Sequence, residues 1–185
     1  MNLFLKASSL QLPASISITG SKSETNRLLL LQALFPNLTL ANTSNSDDSE
    51  VMQKALKGNH EIVDIHHAGT AMRFLTAYFA VNEGREVVLT GSQRMTERPI
   101  QVLVEALQQL GAQISYEKEV GYPPIRIKGQ KIMANKVAIP ANVSSQYISA
   151  LLMVAPTLEE GLVLELKGEI VSLPYILMTL NLMRY

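Results

Sequence analysis

The chain has 185 residues, and its 47% hydrophobic content is enough to bury a substantial core. Its 16 basic and 16 acidic side chains cancel, which argues against nucleic-acid and membrane-surface partners, since both are bound through a net positive field. The absence of cysteine excludes disulfides, thiol nucleophiles and thiolate metal sites, and it favours a reducing, cytoplasmic setting.

Short apolar runs alternate with helical patterns, which predicts a mixed α/β (α+β) fold. The predicted strands are residues 3–6, 15–19, 38–41, 62–65, 87–90, 113–116, 125–128, 136–139 and 162–166. The predicted helices begin after Ser21, Ser46, Gly69, Arg98, Val143 and Ser172. Their order indicates a weak repeat, with about two complete β-α units and the start of a third. No apolar run is long enough to span a bilayer, and the N-terminus does not resemble a signal peptide.

The segment from Gly20 to Arg27 places two cations at the start of a helix. Ser21 and Glu24 have the spacing of a capping box, so Ser21 is the predicted N-cap and Lys22 the first helical residue. A lysine beside the positive end of a helix dipole costs roughly a few tenths of a kcal/mol unless an anion neutralises it. The pattern therefore indicates a phosphate or carboxylate ligand; the alternative is that both cations point into water.

Further helix starts carry side chains or backbone groups that suit an anion. They are Gly69 with Thr70, Arg94 on a strand-to-helix loop, Ser144 to Gln146, and Ser172 with Tyr175. Helix capping or solvation explains each of them taken singly. In a repeated fold, however, their strands bring them to a common side. The sequence thus predicts one anion-binding region built from several helix starts.

These motifs, in this order, resemble the 5-enolpyruvylshikimate-3-phosphate synthase family over nearly the whole chain. The motifs are 20–27, 68–73, 89–99, 144–146, and 172–175 with 180–183. The resemblance implies the enolpyruvyl transferase fold and transfer of the enolpyruvyl group of phosphoenolpyruvate to the 5-hydroxyl of shikimate 3-phosphate. It also implies no metal, no organic cofactor and a monomeric enzyme. This places the expected activity in chorismate and aromatic amino acid biosynthesis.

The resemblance also assigns residues to the two substrates. Those expected to bind shikimate 3-phosphate are Lys22, Ser23, Arg27, Ser144, Ser145, Gln146, Ser172 and Tyr175. Those expected to bind phosphoenolpyruvate are Lys22, Gly69, Arg94 and Gln146. Lys22 is the expected catalytic residue, because it would stabilise charge during transfer. Gly69 matches the position at which the family meets the competitor glyphosate, and a larger side chain there is expected to exclude it.

Two kinds of departure from the family pattern stand out. His67 replaces the usual Asn and Phe74 a frequent Pro, so we expect the phosphoenolpyruvate and glyphosate pocket to differ in shape. The family has two lobes, and the chain matches most of one. Residues 1–18 correspond to a leading segment of the second lobe, and residues 19–185 to the shikimate-phosphate-binding lobe, truncated at its C-terminus. We expect the isolated chain to be inactive.

Other interpretations of the sequence remain open. UDP-N-acetylglucosamine enolpyruvyl transferase shares the architecture and the chemistry, but it usually has Asn after its corresponding lysine and a reactive cysteine, whereas this chain has Ser23 and no cysteine. A degenerate ATP-binding loop is a second alternative, although Ser21 stands where that loop needs a glycine before the lysine. A non-catalytic phosphate-binding domain is a third.

Overall fold

The structure is a computed structural model that describes residues 3–9 and 12–184. Helices and strands are interleaved along the chain. The helices are α1 (Lys22–Leu34), α2 (Asp47–Lys57), α3 (Gly69–Val81), α4 (Gln93–Thr96), α5 (Gln101–Gln109), α6 (Ser145–Val154) and α7 (Leu173–Leu182). The strands are β1 (Ile62–Asp64), β2 (Glu86–Thr90), β3 (Gln113–Tyr116), β4 (Ile125–Lys128), β5 (Lys136–Pro140) and β6 (Val163–Lys167). This is the mixed α/β fold that the sequence predicts.

The strands form a mixed sheet and a smaller parallel one. The larger sheet has the order β1-β2-β4-β3, with β1 parallel to β2 and with β4 antiparallel to both β2 and β3. Val87 on β2 and Ile127 on β4 are register partners, and both are buried because alternate side chains share one face of a strand. In the second sheet, β5 lies parallel to β6. A parallel pair needs a crossover connection, and α6 lies in the connection between β5 and β6.

Helix α3 lies at the centre of the molecule and packs against α1, α2, α5, α6 and the larger sheet. Its sequence is apolar around nearly its whole circumference, which is typical of a buried helix. Phe74 and Leu75 are completely buried, and Phe79 is 1% exposed. Because the first turn of α3 is fixed by this packing, the residues there are held in place relative to α1 and α6.

The structure confirms the predicted helices and the predicted strands from β1 to β6, with small shifts at their ends. The strands predicted at 3–6, 15–19 and 38–41 are wrong, because none of these segments has a partner strand within the described residues. A strand needs a neighbour for its backbone hydrogen bonds. Residues 38–41 instead follow a turn in which the Leu38 amide donates to the Phe35 carbonyl. The short helix α4 was not predicted.

The leading segment is exposed over residues 3–9 and 12–19 and forms neither helix nor strand there, with a bend at residues 12–13. Its large apolar side chains, which are between 78% and 94% exposed, belong to Leu3, Phe4, Leu5, Leu12, Ile16 and Ile18. Thr19 makes a contact with the folded part, as its hydroxyl lies 3.2 Å from Asn45 Oδ1. Parts of the predicted units 1–18 and 19–185 lie outside the described residues, namely Met1, Asn2, Leu10, Gln11 and Tyr185.

Within the described part of the chain, no helix is both long enough and apolar enough to cross a membrane.

Candidate functional site

The N-termini of α1, α3, α6 and α7 meet around a cavity of about 210 Å³. Its lining residues are Lys22, Ser23, Arg27, Thr70, Ser144, Ser145, Gln146 and Tyr175. Each helix N-terminus carries a partial positive charge and unpaired N–H groups. The lining also holds two cations, and none of the described residues that line it is Asp or Glu. The cavity therefore suits an anion.

Helix α1 supplies Lys22, Ser23 and Arg27, and it begins as the sequence predicts. Ser21 is the N-cap, and its side chain accepts a hydrogen bond from the Glu24 amide at 3.4 Å. The Lys22 ammonium lies 3.9 Å from Asp48 of α2, so it has a distant acidic partner while about half of its side chain remains exposed. Such a pair is weak and leaves Lys22 able to contact an anion.

Arg27 is the buried cation of the cavity, only 2% exposed. Its guanidinium donates to Ser23 O, Ser149 Oγ and Thr179 Oγ1 at 2.8, 3.1 and 2.7 Å, and no carboxylate forms a salt bridge with it in the described ranges. Burial lowers the pKa of Arg27, since desolvation disfavours the charged form. Because all the described hydrogen-bond acceptors of this buried guanidinium are neutral, its positive charge remains available to an anionic ligand.

Helix α6 begins with hydroxyl groups at the cavity. Ser144 is the N-cap and accepts from the Gln146 amide at 3.3 Å, and Ser145 is the first helical residue. The Gln146 side chain donates to the Thr70 hydroxyl of α3 at 3.1 Å. The sequence places Thr70 beside Gly69 at a helix start that suits an anion, but Thr70 was not assigned to either substrate. In the structure its hydroxyl is an additional lining group of the cavity.

Tyr175 reaches the cavity from the first turn of α7, whereas Ser172 is not among the lining residues. Ser172 precedes the helix in the left-handed conformation, with φ 59° and ψ 34°, and its side chain makes no capping hydrogen bond to a described residue. For a residue other than glycine this backbone conformation carries strain. Ser172 therefore differs from Ser21, which caps its helix in the ordinary extended conformation.

A second cavity of about 430 Å³ contains Arg94. Its other lining residues are His67, Met95 and Arg98. Gly69 lies next to residues of both cavities. It is followed by Thr70, which lines the first cavity, and it lies against the guanidinium of Arg98, which lines the second. The candidate site residues thus divide between two neighbouring cavities, and Arg98 is an addition that the sequence analysis missed.

His67 and Phe74, the two residues noted as departures in the sequence, lie in different positions relative to the cavities. His67 lines the second cavity, where its Nε2 lies 3.8 Å from Asp47, so it can alter the shape of that cavity. Phe74 is fully buried and lines neither cavity. Its ring lies beneath Arg27, with 5.3 Å between the ring centroid and Cζ. Phe74 therefore lies behind the first cavity, against the Arg27 guanidinium, and does not line it.

The described residues contain no group of three or more His, Cys, Asp or Glu side chains placed to hold a metal ion.

Comparison with protein families gives a match to the model of EPSP synthase (3-phosphoshikimate 1-carboxyvinyltransferase) over residues 54–185. The chain belongs to the EPSP synthase family. The matched region includes the helix starts at Gly69 and Ser144, together with Arg94. The resemblance noted from the ordered motifs is therefore confirmed.

Curated relatives of the chain bear the name 3-phosphoshikimate 1-carboxyvinyltransferase, and a solved EPSP synthase structure shares its fold. The chain is 50% identical to the 3-phosphoshikimate 1-carboxyvinyltransferase of Bacteroides fragilis strain YCH46 over 185 residues, which are 100% of the chain and 45% of that protein. It is 42% identical over 196 aligned residues to that of Colwellia psychrerythraea strain 34H, with 91% of the chain and 46% of that protein covered. The EPSP synthase structure from Acinetobacter baumannii matches with a TM-score of 0.69 and 19% identity, covering 87% of the chain and 41% of that structure. The chain thus spans less than half the length of these relatives.

Proposed function

We propose that the chain forms part of an enzyme that transfers the enolpyruvyl group of phosphoenolpyruvate to the 5-hydroxyl of shikimate 3-phosphate. The observation that carries this proposal is the convergence of α1, α6 and α7 on one cavity that holds Lys22, Arg27, Ser144 and Ser145. Membership of the EPSP synthase family supports it. In the reaction the 5-hydroxyl gives up its proton as its oxygen bonds to the enolpyruvyl carbon, the phosphoenolpyruvate C–O bond breaks, and the proton leaves with the inorganic phosphate.

The first cavity is the proposed site for shikimate 3-phosphate. Hydroxyl and amide groups of Ser144, Ser145 and Gln146 at the start of α6 suit the 3-phosphate, because a helix N-terminus favours an oxyanion. Arg27 suits the carboxylate, since a guanidinium forms strong charge-assisted hydrogen bonds with it. Ser23 and Tyr175 line the same space and would contact the ring. Ser172 remains part of this proposal, although it is not among the described residues that line the cavity.

The second cavity is the proposed site for the phosphate of phosphoenolpyruvate. Arg94 and Arg98 line it, and backbone approach is close at Gly69 because this residue has no side chain. Lys22 and Gln146 line the first cavity and are proposed to reach toward phosphoenolpyruvate from there. Lys22 is the proposed catalytic residue, as an ammonium group stabilises the charge that develops on the transferring group. The reaction as proposed uses no metal and no organic cofactor.

The chain alone is proposed to be inactive. It covers 45% of the Bacteroides fragilis relative, and the proposal assigns closure over the two cavities to the rest of that relative's length. The exposed apolar side chains of residues 3–9 and 12–18 support the proposal that residues 1–18 belong to a second lobe, with residues 19–185 forming the shikimate-phosphate-binding lobe, truncated at its C-terminus. A monomeric enzyme in the cytoplasm is part of the same proposal, and the cysteine-free sequence fits that location.

A complementation assay tests this function. The chain is mixed with a fragment containing the remaining 55% of the Bacteroides fragilis relative, and phosphate release is measured with both substrates present. We expect turnover only when both fragments and both substrates are present, and a Lys22→Ala chain should restore none of it. Turnover by the chain alone would disprove its inactivity. Release that depends on UDP-N-acetylglucosamine instead of shikimate 3-phosphate would assign the chain to the sister reaction.

A further inference from the structure

Two buried hydroxyl groups, one on α6 and one on α7, hold the guanidinium of Arg27. Ser149 and Thr179 are both fully buried, and neither lines the first cavity. Arg27 Nη2 donates to Ser149 Oγ at 3.1 Å, and Arg27 Nε donates to Thr179 Oγ1 at 2.7 Å. The two hydroxyls lie 2.8 Å from each other. Arg27, Ser149 and Thr179 thus form a closed triangle of hydrogen bonds inside the helical layer.

The direction of these hydrogen bonds follows from counting protons. Thr179 donates its single hydroxyl proton to the Tyr175 carbonyl at 2.9 Å. Ser149 must therefore donate to Thr179, because the contact between them needs one donor. Both hydroxyl oxygens are then left with lone pairs that accept from Arg27. The network has one consistent arrangement, and each hydroxyl presents an acceptor to the cation.

A spacing of four residues along each helix links this network to residues that line the cavity. Ser149 lies four residues after Ser145, and Thr179 lies four residues after Tyr175, so each hydroxyl sits one turn below a residue that lines the cavity. Arg27 itself donates from Nη1 to Ser23 O, which is four residues earlier on α1. A guanidinium has five N–H donors, and these three contacts leave one donor on each terminal nitrogen. That remaining pair has the spacing that a carboxylate accepts.

We propose that Ser149 and Thr179 are positioning residues that hold Arg27 in the orientation required to bind the carboxylate of the acceptor substrate. The proposal rests on the proposed function for the identity of that substrate. It differs from an ordinary packing role, because a serine and a threonine completely buried between helices could be replaced by apolar side chains of similar shape if only packing mattered. The geometry also explains how Arg27, only 2% exposed, is held without a carboxylate partner among the described residues. Neutral hydroxyl groups hydrogen-bond to its guanidinium, and its positive charge remains available to the ligand.

The test compares Thr179→Val, which removes the hydroxyl at nearly constant shape, with Thr179→Ser, which keeps it. Thr76→Val is the matched control, because Thr76 is also fully buried in a helix and donates to the Met72 carbonyl at 2.7 Å, but is not among the described hydrogen-bond partners of Arg27. Hydrogen exchange of the Arg27 Nε–H group is followed by ¹⁵N NMR in each chain, with the signal assigned through Arg27→Lys. Affinity for shikimate 3-phosphate is measured by titration of the same samples.

We expect exchange at Arg27 Nε to be at least about tenfold faster in Thr179→Val and affinity for shikimate 3-phosphate to be about tenfold weaker, as for loss of a hydrogen bond to a charged group. Thr179→Ser and Thr76→Val should retain wild-type values of both. Unchanged Nε exchange in Thr179→Val would overturn the positioning role, and so would unchanged affinity. Should that variant fail to fold, Ser149→Ala provides the same comparison through Nη2.

The exchange measurement separates the two proposals. If the wild-type chain does not bind shikimate 3-phosphate, binding by this portion of the enzyme is disproved, while the Nε–H comparison in the free chain still decides whether Thr179 fixes Arg27. If the wild-type chain binds and Thr179→Val binds equally well, the positioning role is wrong and the proposed function stands.

Discussion

The guanidinium of Arg98 occupies the space that a side chain at Gly69 would enter. A Cβ atom added to Gly69 would lie 3.0 Å from Arg98 Cζ and still nearer to Nη1. Gly69 is the first residue of α3, and Arg98 lies between α4 and α5, so two segments distant in sequence meet at the boundary of the two cavities. The absence of a side chain at Gly69 lets Arg98 sit over the helix N-terminus.

Gly69→Ala is expected to displace Arg98 with little loss of stability. The colliding atoms are the far end of a flexible side chain, so the free energy of unfolding should fall by less than about 1 kcal/mol. The second cavity should nevertheless change shape. In a double-mutant cycle with Arg98→Ala, the alanine at Gly69 should become neutral once the guanidinium is gone. Urea denaturation of the four chains measures this coupling, and strictly additive effects would contradict it.

Phe74→Leu is expected to destabilise the chain by about 2 kcal/mol, because it removes both buried ring surface and the aromatic face beneath Arg27. The control is a double-mutant cycle with Arg27→Met, because Phe79, the other buried phenylalanine of α3, has its own edge-to-face contact with Tyr78 at 5.3 Å between ring centroids. Phe74→Leu should lower the free energy of unfolding by roughly 0.5–1 kcal/mol more with Arg27 present than in the Arg27→Met chain. Equal losses in the two chains would show that Arg27 gains nothing from the ring.

Glu159→Gln is expected to change how stability depends on pH in acid. A hydrogen bond from Lys131, 2.7 Å away, lowers the pKa of the Glu159 carboxyl in the folded chain. The unfolded chain then binds more protons, so the stabilisation is present above the unfolded pKa and is lost as pH falls through the folded pKa. Thermal melts of both chains should differ slightly at neutral pH and converge in acid. A constant difference at all pH values would rule out this linkage, and added salt should reduce the effect.

The helix starts were predictable because capping is local. Ser21 and Ser144 act through hydrogen bonds to residues two or three positions away, and the sequence shows that spacing directly. The extended segment at 15–19 was not predictable in the same way, because a strand depends on a neighbour that the described chain does not supply. Apolar alternation alone cannot show whether such a neighbour exists.

The supporting residues of the site were beyond sequence reasoning for a related reason. Ser149 and Thr179 lie 30 positions apart and are ordinary helical residues until α6 and α7 pack around Arg27. Arg98 was visible only as part of a motif, and its contact with Gly69 depends on how the α4–α5 connection folds over α3. Local sequence patterns identified the residues at the helix starts. Which residues contact and position them depends on tertiary packing, and those patterns do not show it.

An amide NMR titration of the chain with shikimate 3-phosphate, with unphosphorylated shikimate as the matched ligand, tests directly whether the helix starts bind the phosphorylated acceptor. We expect saturable shifts at the first turns of α1, α6 and α7, weaker binding of shikimate, and loss of that difference in the double variant Ser144→Ala, Ser145→Ala. A folded chain that shows no shifts, or that binds both ligands equally, would contradict the claim that these helix starts form a site for the phosphorylated acceptor.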